Sequence, residues 1–307
     1  MAGAAAEMAV GTAVMSAPLA VGLVGAGPWA AFVHAPVLAA GPETTLAAVW
    51  ARRPEAAQEL AQRYGSTVVE RFEDLLDGCE AVAFAVPPSI QAELAPVAAA
   101  AGKALLLEKP IAGSVAEAER LAGAVADAGV GSLVVLSYRF ADATRDFLEQ
   151  ARTFAAAGGR GCFISGAFLG GPFSQSPWRQ ERGVLLDVGP HIIDLLDAAL
   201  GPVENIRAHT GPGGWAGVLL DHEGGARSEA SMCADAAIDD SRTEVELFGP
   251  GGALVLDARA GAGPAMFATL RAEFAEVART GAAHDCDVHR GLYLQRLIET
   301  AERDLDR

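Results

Sequence analysis

The stretch Leu19-Ala-Val-Gly-Leu-Val24 followed by Gly25-Ala26-Gly27-Pro28-Trp29-Ala30 decides how the rest of the chain is read. An apolar run short enough for one strand passes directly into a G-x-G-x-x-A turn, and a helical pattern follows. That order suits a dinucleotide cradle: Gly25 permits the tight turn, Gly27 lets the backbone approach a pyrophosphate, and Ala30 keeps helix and strand close. The start of the helix adds free N–H groups and a partial positive charge for phosphate.

Outward from this turn, short apolar runs alternate with helical segments, the pattern of a parallel sheet covered by helices. Strands are expected at Leu19 to Val24, Thr45 to Trp50, Ala81 to Val86, Ala104 to Glu108 and Leu133 to Ser137, with a weaker one at Thr67 to Val69. Helices are expected at Pro54 to Tyr64, Gln91 to Ala101 and Ser114 to Ala128, the last opened by a capping box of Ser114 and Glu117. After Ser137 the rhythm changes. One helical segment, Ala143 to Ala157, precedes a strand-like Cys162 to Leu169. Five further strands follow, at Val203 to His209, Ala216 to Asp221, Ser228 to Cys233, Glu244 to Phe248 and Ala253 to Asp257, with no helix between them. Strands in such succession imply an antiparallel sheet. Helical patterns close the chain at Met266 to Arg279 and His289 to Arg303. The expected fold class is therefore α/β: a doubly wound Rossmann sheet over 19–138, then an α+β domain with an open, mainly antiparallel sheet over 139–307. Residues 1–18 are expected to form a disordered leader.

At 307 residues the chain is long enough for two domains, each with its own core. Hydrophobic residues make up 51% of it, yet no run reaches the roughly 18–20 unbroken apolar residues of a spanning helix. Its 23 Lys and Arg against 39 Asp and Glu give a formal charge of -16, which repels nucleic acid and anionic lipid alike. Cys79, Cys162, Cys233 and Cys286 are widely spaced and form no C-x-x-C pair, so neither a zinc site nor a disulfide framework is signalled, in keeping with a cytoplasmic location.

Three further features carry chemistry. The second strand ends in Val49-Trp50-Ala51-Arg52-Arg53. It lacks the carboxylate that usually grips the ribose of NAD, and its arginines suit a 2′-phosphate, which favours NADP and leaves NAD open. They can also be solvated helix-start residues. The fifth strand ends in Leu107-Glu108-Lys109-Pro110, which sets a lysine at the carboxyl edge of the sheet, where ligands bind. The same dipeptide also makes ordinary surface turns. Finally, Asp187, His191 and Asp194 stand at i, i+4 and i+7 on one helical face. Pro190 is best tolerated in a first turn, so the helix is expected to begin near Asp187. An Asp/His pair there can move protons, or it can serve as a structural hydrogen bond.

Jointly, Gly25 to Ala30, the Glu108-Lys109-Pro110 signature and the D-x-G-x-H-x-x-D pattern of Asp187 to Asp194 resemble the glucose–fructose oxidoreductase/inositol dehydrogenase/rhizopine catabolism (Gfo/Idh/MocA) family. The resemblance covers nearly the whole chain after Leu19. It implies hydride transfer between NADP(H) or NAD(H) and a sugar-like or cyclic secondary alcohol or ketone. Lys109, His191 and Asp187 are then the catalytic residues, with the formal acid/base left open between Lys109 and His191. The cofactor residues implied are Gly25, Gly27, Pro28, Trp29, Ala30, Arg52, Arg53, Pro87, Glu108 and Lys109. Trp178 and Arg179 join Asp187 and His191 on the substrate side. Relatives that eliminate or epimerise without net redox change, and dinucleotide sensors without catalysis, remain alternatives on the same fold. The open sheet needs a cover, so a homodimer or homotetramer is expected.

Overall fold

The computed structural model of the chain describes residues 17–305 apart from positions 173 and 175. All but the last two residues of the expected leader lie outside the described residues.

The first sheet is built from β1 (Leu19–Val24), β2 (Thr44–Trp50), β3 (Thr67–Val68), β4 (Ala81–Phe84), β5 (Ala104–Leu107) and β6 (Ser132–Val134). All six are parallel, in the order β3-β2-β1-β4-β5-β6. The near-continuous apolar runs of β4, β5 and β6 are buried at every position, as strands covered on both faces must be. The strand order reverses between β1 and β4, which opens a crevice at their carboxyl ends. A π-helical turn, Ala30–His34, leads into α1 (Ala35–Ala39), and α2 (Pro54–Tyr64), α3 (Phe72–Asp77), α4 (Pro88–Ala100) and α5 (Val115–Ala128) complete the covering layers. The sequence reading has no counterpart for α3. Ser114 caps α5 as expected by accepting from Glu117 N at 3.3 Å, but the Glu117 carboxylate reaches one residue further back, to Gly113 N.

A 3₁₀ turn at Ser137–Phe140 and α6 (Asp142–Ala151) lead to the second sheet. Its strands are β7 (Gly158–Ile164), β8 (Val203–Gly211), β9 (Trp215–His222), β10 (Arg227–Cys233), β11 (Arg242–Gly249) and β12 (Gly252–Asp257), in the order β12-β11-β7-β10-β9-β8. The sheet is mixed: β7 and β10 are parallel and the other pairs antiparallel. Helix α6 ends six residues before the expected Ala157, and β7 starts four residues before Cys162. The early part of β7 is Gly-Gly-Arg-Gly, which carries no apolar alternation. Its glycines are set by packing, since a Cβ at Gly161 would lie 2.8 Å from the Ile192 side chain.

Ile192 belongs to α7 (Pro177–Leu200), the central helix laid across one face of this sheet. The opposite face is open, and a register row crosses it: Leu219, Glu229, Arg160, Glu246, Val255. Arg160 and Glu246 form an ion pair at its centre. Of the last helices, α8 (Pro264–Thr280) turns back onto the first sheet, while α9 (Val288–Leu305) packs between α5 and β6 on one side and α7 and β8 on the other. Among the described residues no helix is long and apolar enough to cross a membrane.

Candidate active site

The glycine turn after β1 is shaped as its sequence requires. Gly25 has φ 118°, and a Cβ there would sit 2.4 Å from the Ala85 carbonyl, so the close approach of the chain after β4 admits only glycine. A Cβ at Gly27 would project into open space instead. That space belongs to a cavity of about 370 Å³ bordered by Gly25, Gly27, Arg52, Arg53, Pro87 and Ile90. Pro28 opens the helix that follows, and Ala30 is fully buried against the strand. Arg52 and Arg53 are exposed at the rim, and among the described residues no carboxylate lines this cavity. A glycine backbone left bare, a helix start and two cations fit a dinucleotide phosphate.

Trp29 turns toward the other side, where it donates to Glu108 Oε1 at 2.6 Å. The same oxygen pairs with His34 Nε2 at 2.8 Å, and Glu108 Oε2 accepts from Lys109 N at 3.2 Å. Glu108 is thus committed to protein partners. Beneath it the fully buried Gln91 of α4 clamps the main chain: its amide donates to the carbonyls of Glu108 (2.8 Å) and Ile111 (3.0 Å), and its oxygen accepts from Glu108 N (2.8 Å). The Lys109–Pro110 peptide is cis.

Helix α7 is interrupted at Gly183, whose φ of 72° and ψ of −173° are not helical, so the helix proper resumes at Val184. The start expected near Asp187 is therefore three residues too late, and Pro190 lies inside the helix. Lacking an N–H, it leaves the Leu186 carbonyl, four residues back, without its helical donor. In that turn the Asp187 carbonyl accepts from Lys109 Nζ at 2.7 Å. Asp187 Oδ1 holds the same ammonium at 3.0 Å, and Oδ2 accepts from Arg179 Nε at 3.0 Å. Burial works to raise the Asp187 carboxyl, but the charges and hydrogen bonds of Lys109 and Arg179 hold it below the ordinary carboxylate value.

One turn on, His191 stacks on Phe163 with centroids 6.2 Å apart and meets Tyr138 edge-on at 5.4 Å. Its Nδ1 is buried without a hydrogen-bond partner among the described residues. Burial, helped by the charge of Lys109, pushes this imidazole down to about 3. Glu108, Lys109, Tyr138, Arg179, Asp187 and His191 together wall a cavity of about 270 Å³ between the two sheets.

The structure thus gathers Lys109, Asp187, His191 and Arg179 in one place. Trp178 is not on the wall of that cavity; it lies under Arg179, whose guanidinium carbon is 4.5 Å from its ring centre. Asp194 continues the Asp187/His191 face but is taken up by Arg139 (3.1 Å) and Arg290 (2.7 Å), so it is a structural anchor. Sequence reasoning missed Tyr138, Phe163, Gln91 and His34. The first three carry no local signal, whereas His34, four residues after Ala30, falls on the face of the helix that looks back at the sheet.

Residues 19–135 match the family model described as oxidoreductase family, NAD-binding Rossmann fold, and residues 159–255 match the GFO/IDH/MocA C-terminal domain. Levoglucosan dehydrogenase of Pseudarthrobacter phenanthrenivorans is 28% identical over 166 residues, 50% of this chain and 42% of that protein. D-glucoside 3-dehydrogenase of Escherichia coli is 28% identical over 218 residues, 65% of this chain and 59% of that protein. The chain spans about half the length of the curated relatives it matches. Among solved structures, GenD2 from gentamicin A biosynthesis, in complex with NAD, superposes with a TM-score of 0.85 at 22% identity, covering 96% of both chains. The WlbA dehydrogenase of Bordetella pertussis, in complex with NADH and UDP-GlcNAcA, gives a TM-score of 0.82 at 20% identity over 94% of this chain and 97% of that one. With both of its sheets matched by the family's two domain models, the chain belongs to the GFO/IDH/MocA family of oxidoreductases.

Proposed function

We propose that the chain is a nicotinamide-dependent dehydrogenase/reductase of a sugar-like secondary alcohol or ketone, with residues 19–138 holding the cofactor and 139–307 the substrate. The observation that carries this reading is the Lys109–Asp187 pair set beside a neutral His191 in one cavity. A nicotinamide dinucleotide would be held by Gly25, Gly27, Pro87 and the arginines and would supply hydride exchange. Everything else falls to side chains. Lys109 is pinned twice by Asp187, which fixes its ammonium against the cavity and places a charge where an alkoxide develops. His191 cannot carry a proton at neutral pH, so in the reducing direction Lys109 donates the proton to the carbonyl oxygen and is reprotonated from solvent. His191 orients the hydroxyl through a neutral hydrogen bond.

Lys109→Ala is expected to lower kcat by about 10²–10⁴, the range for a positioned acid/base, with the affinity for cofactor nearly intact. His191→Asn is expected to cost less. Full turnover in Lys109→Ala would overturn the assignment. Arg52 and Arg53, with no acidic partner at the end of β2, favour NADP over NAD. Titration of the wild type and of the Arg52→Ala/Arg53→Ala variant with NADPH and NADH tests this: the variant should lose NADPH affinity alone, and equal loss for both would remove the argument. The open face of the second sheet, with Leu219 and Val255 at the ends of its charged row, is our choice for a homo-oligomeric interface, to be tested by sedimentation.

A further inference from the structure

A second cavity, of about 440 Å³, adjoins the catalytic one, and Phe168 and Arg179 are walls of both. Apart from Arg179, none of the residues singled out in the sequence lines it, and the chemistry above leaves the rest of it idle. Its far side is the tip of the β8–β9 hairpin, Thr210 to Trp215, together with Asp235; its near side is the start of α7, Gln180 to Val184. Gly213 and Gly214 both have φ 69°, and a Cβ at Gly214 would sit 2.3 Å from Asp235 Oδ2. The paired glycines therefore let the hairpin fold down onto the carboxylate. Among the described residues nothing donates a hydrogen bond to that carboxylate, so it faces the cavity as a bare acceptor. The Trp215 ring lies over Gly211, with ring carbons at 3.9 Å from its Cβ position, and the side chain is 37% exposed although large and apolar.

A flat aromatic face beside an acceptor carboxylate, a hydroxyl (Thr210) and an amide (Gln180) is the chemistry that holds a neutral pyranose: C–H groups pack on the indole while vicinal hydroxyls donate to the carboxylate. An anionic occupant is disfavoured. Asp235 repels it, and Arg182, the remaining cation of the wall besides Arg179, is bound to the Gly113 carbonyl at 2.9 Å and to Glu302 at 3.0 Å. Arg179 in turn is paired with Asp187. The catalytic cavity, at about 270 Å³, sits just below the usual range of small-molecule sites, about 300–1,000 Å³, and has room for one ring.

We propose that the second cavity is a glycosyl subsite, and that the substrate is a sugar ring joined to a second, neutral sugar ring. The inference rests on the sugar oxidoreductase reading above and narrows its substrate class. The test is steady-state kinetics with both cofactors on methyl α- and β-glucoside, maltose, cellobiose and UDP-glucose, for the wild type, Trp215→Ala and Asp235→Asn. For the wild type, kcat/KM should favour one disaccharide over the matching methyl glucoside at least tenfold. In both variants that ratio should fall to about one, through KM. Equal use of disaccharide and methyl glucoside by the wild type would overturn the subsite while leaving the sugar oxidoreductase reading intact. So would a UDP-glucose preference, or variants that slow both substrates alike. Binding of cofactor with no turnover of any sugar would overturn both readings.

Discussion

The ring of His191, stacked on Phe163 and closed off by Tyr138, is held neutral by burial and by the charge of Lys109, at about 3 against an ordinary value of 6.5. The linkage has a definite sign. Between pH 3 and 6.5 the unfolded chain binds a proton at this histidine and the folded one does not, so stability rises with pH across that window and is lost as pH falls through it. Each unit of separation is worth about 1.4 kcal/mol. Asp187, held low by its two cations, adds a loss in the same direction at still lower pH, as it becomes protonated. His191→Asn is therefore expected to flatten the fall of Tm between pH 6.5 and 4.5 while changing Tm little at pH 8. Parallel Tm–pH curves for the two proteins would show that the ring is charged in the fold. Of these contacts the sequence discloses only the ends. Lys109, Asp187 and His191 are legible because strand edges and helical spacing place them, but the aromatic pair that keeps His191 neutral comes from a 3₁₀ turn and a strand more than 20 residues away from it in sequence.

At the scale of elements, Lys109, the acid of the proposed mechanism, depends on a residue that lies outside its cavity. Gln91 lies on α4, yet its three hydrogen bonds all go to the main chain around Lys109, and its side chain is fully buried. Replacing it with leucine leaves the Glu108 amide and two carbonyls unpaired away from water, at about 1–3 kcal/mol for such a group. Gln91→Leu should accordingly lower Tm and, by freeing the loop, lower kcat with little change in the KM for cofactor; unchanged kcat in a folded Gln91→Leu protein would mean the loop holds itself. The elements themselves were readable where the signal is local, as with Pro54 opening α2 and Ser114 capping α5. They were misread where tertiary contacts decide. The glycines of β7 exist so that α7 can lie close, and α7 is broken at Gly183 by its positive φ and resumes at Val184, whatever Pro190 implies for an isolated helix. The second cavity was illegible for the same reason: Thr210, Trp215, Asp235 and Gln180 meet only once the hairpin has folded down onto Asp235.

For the molecule as a whole, the chain order hides that the last 42 residues of the described fold, 264–305, pack on the first sheet as well as on β8 of the second. Val134 N, on edge strand β6, donates to the Cys286 carbonyl at 2.7 Å, and Ser132 Oγ accepts from Val288 N at 3.1 Å. Gly131 is glycine because a Cβ there would meet the Val277 carbonyl at 2.4 Å, and Gly291 because one would meet Ile111 at 2.5 Å. Arg271, largely buried, pairs with Glu43 at 2.7 Å, and Arg279 donates to the Ala17 carbonyl at 2.8 Å. Without these helices the nucleotide-binding half would expose β6 and the apolar surface that α8 covers, a loss comparable to the few kcal/mol by which a domain is stable. Residues 17–138 expressed alone are thus expected to show no cooperative thermal transition and to bind a dye for exposed apolar surface. Joining 264–305 to the same fragment through a flexible linker of about ten residues should restore a cooperative transition. If the fragment melts cooperatively by itself, the helices merely rest on a finished domain; if the joined form is as disordered as the fragment, the missing support comes from the second sheet.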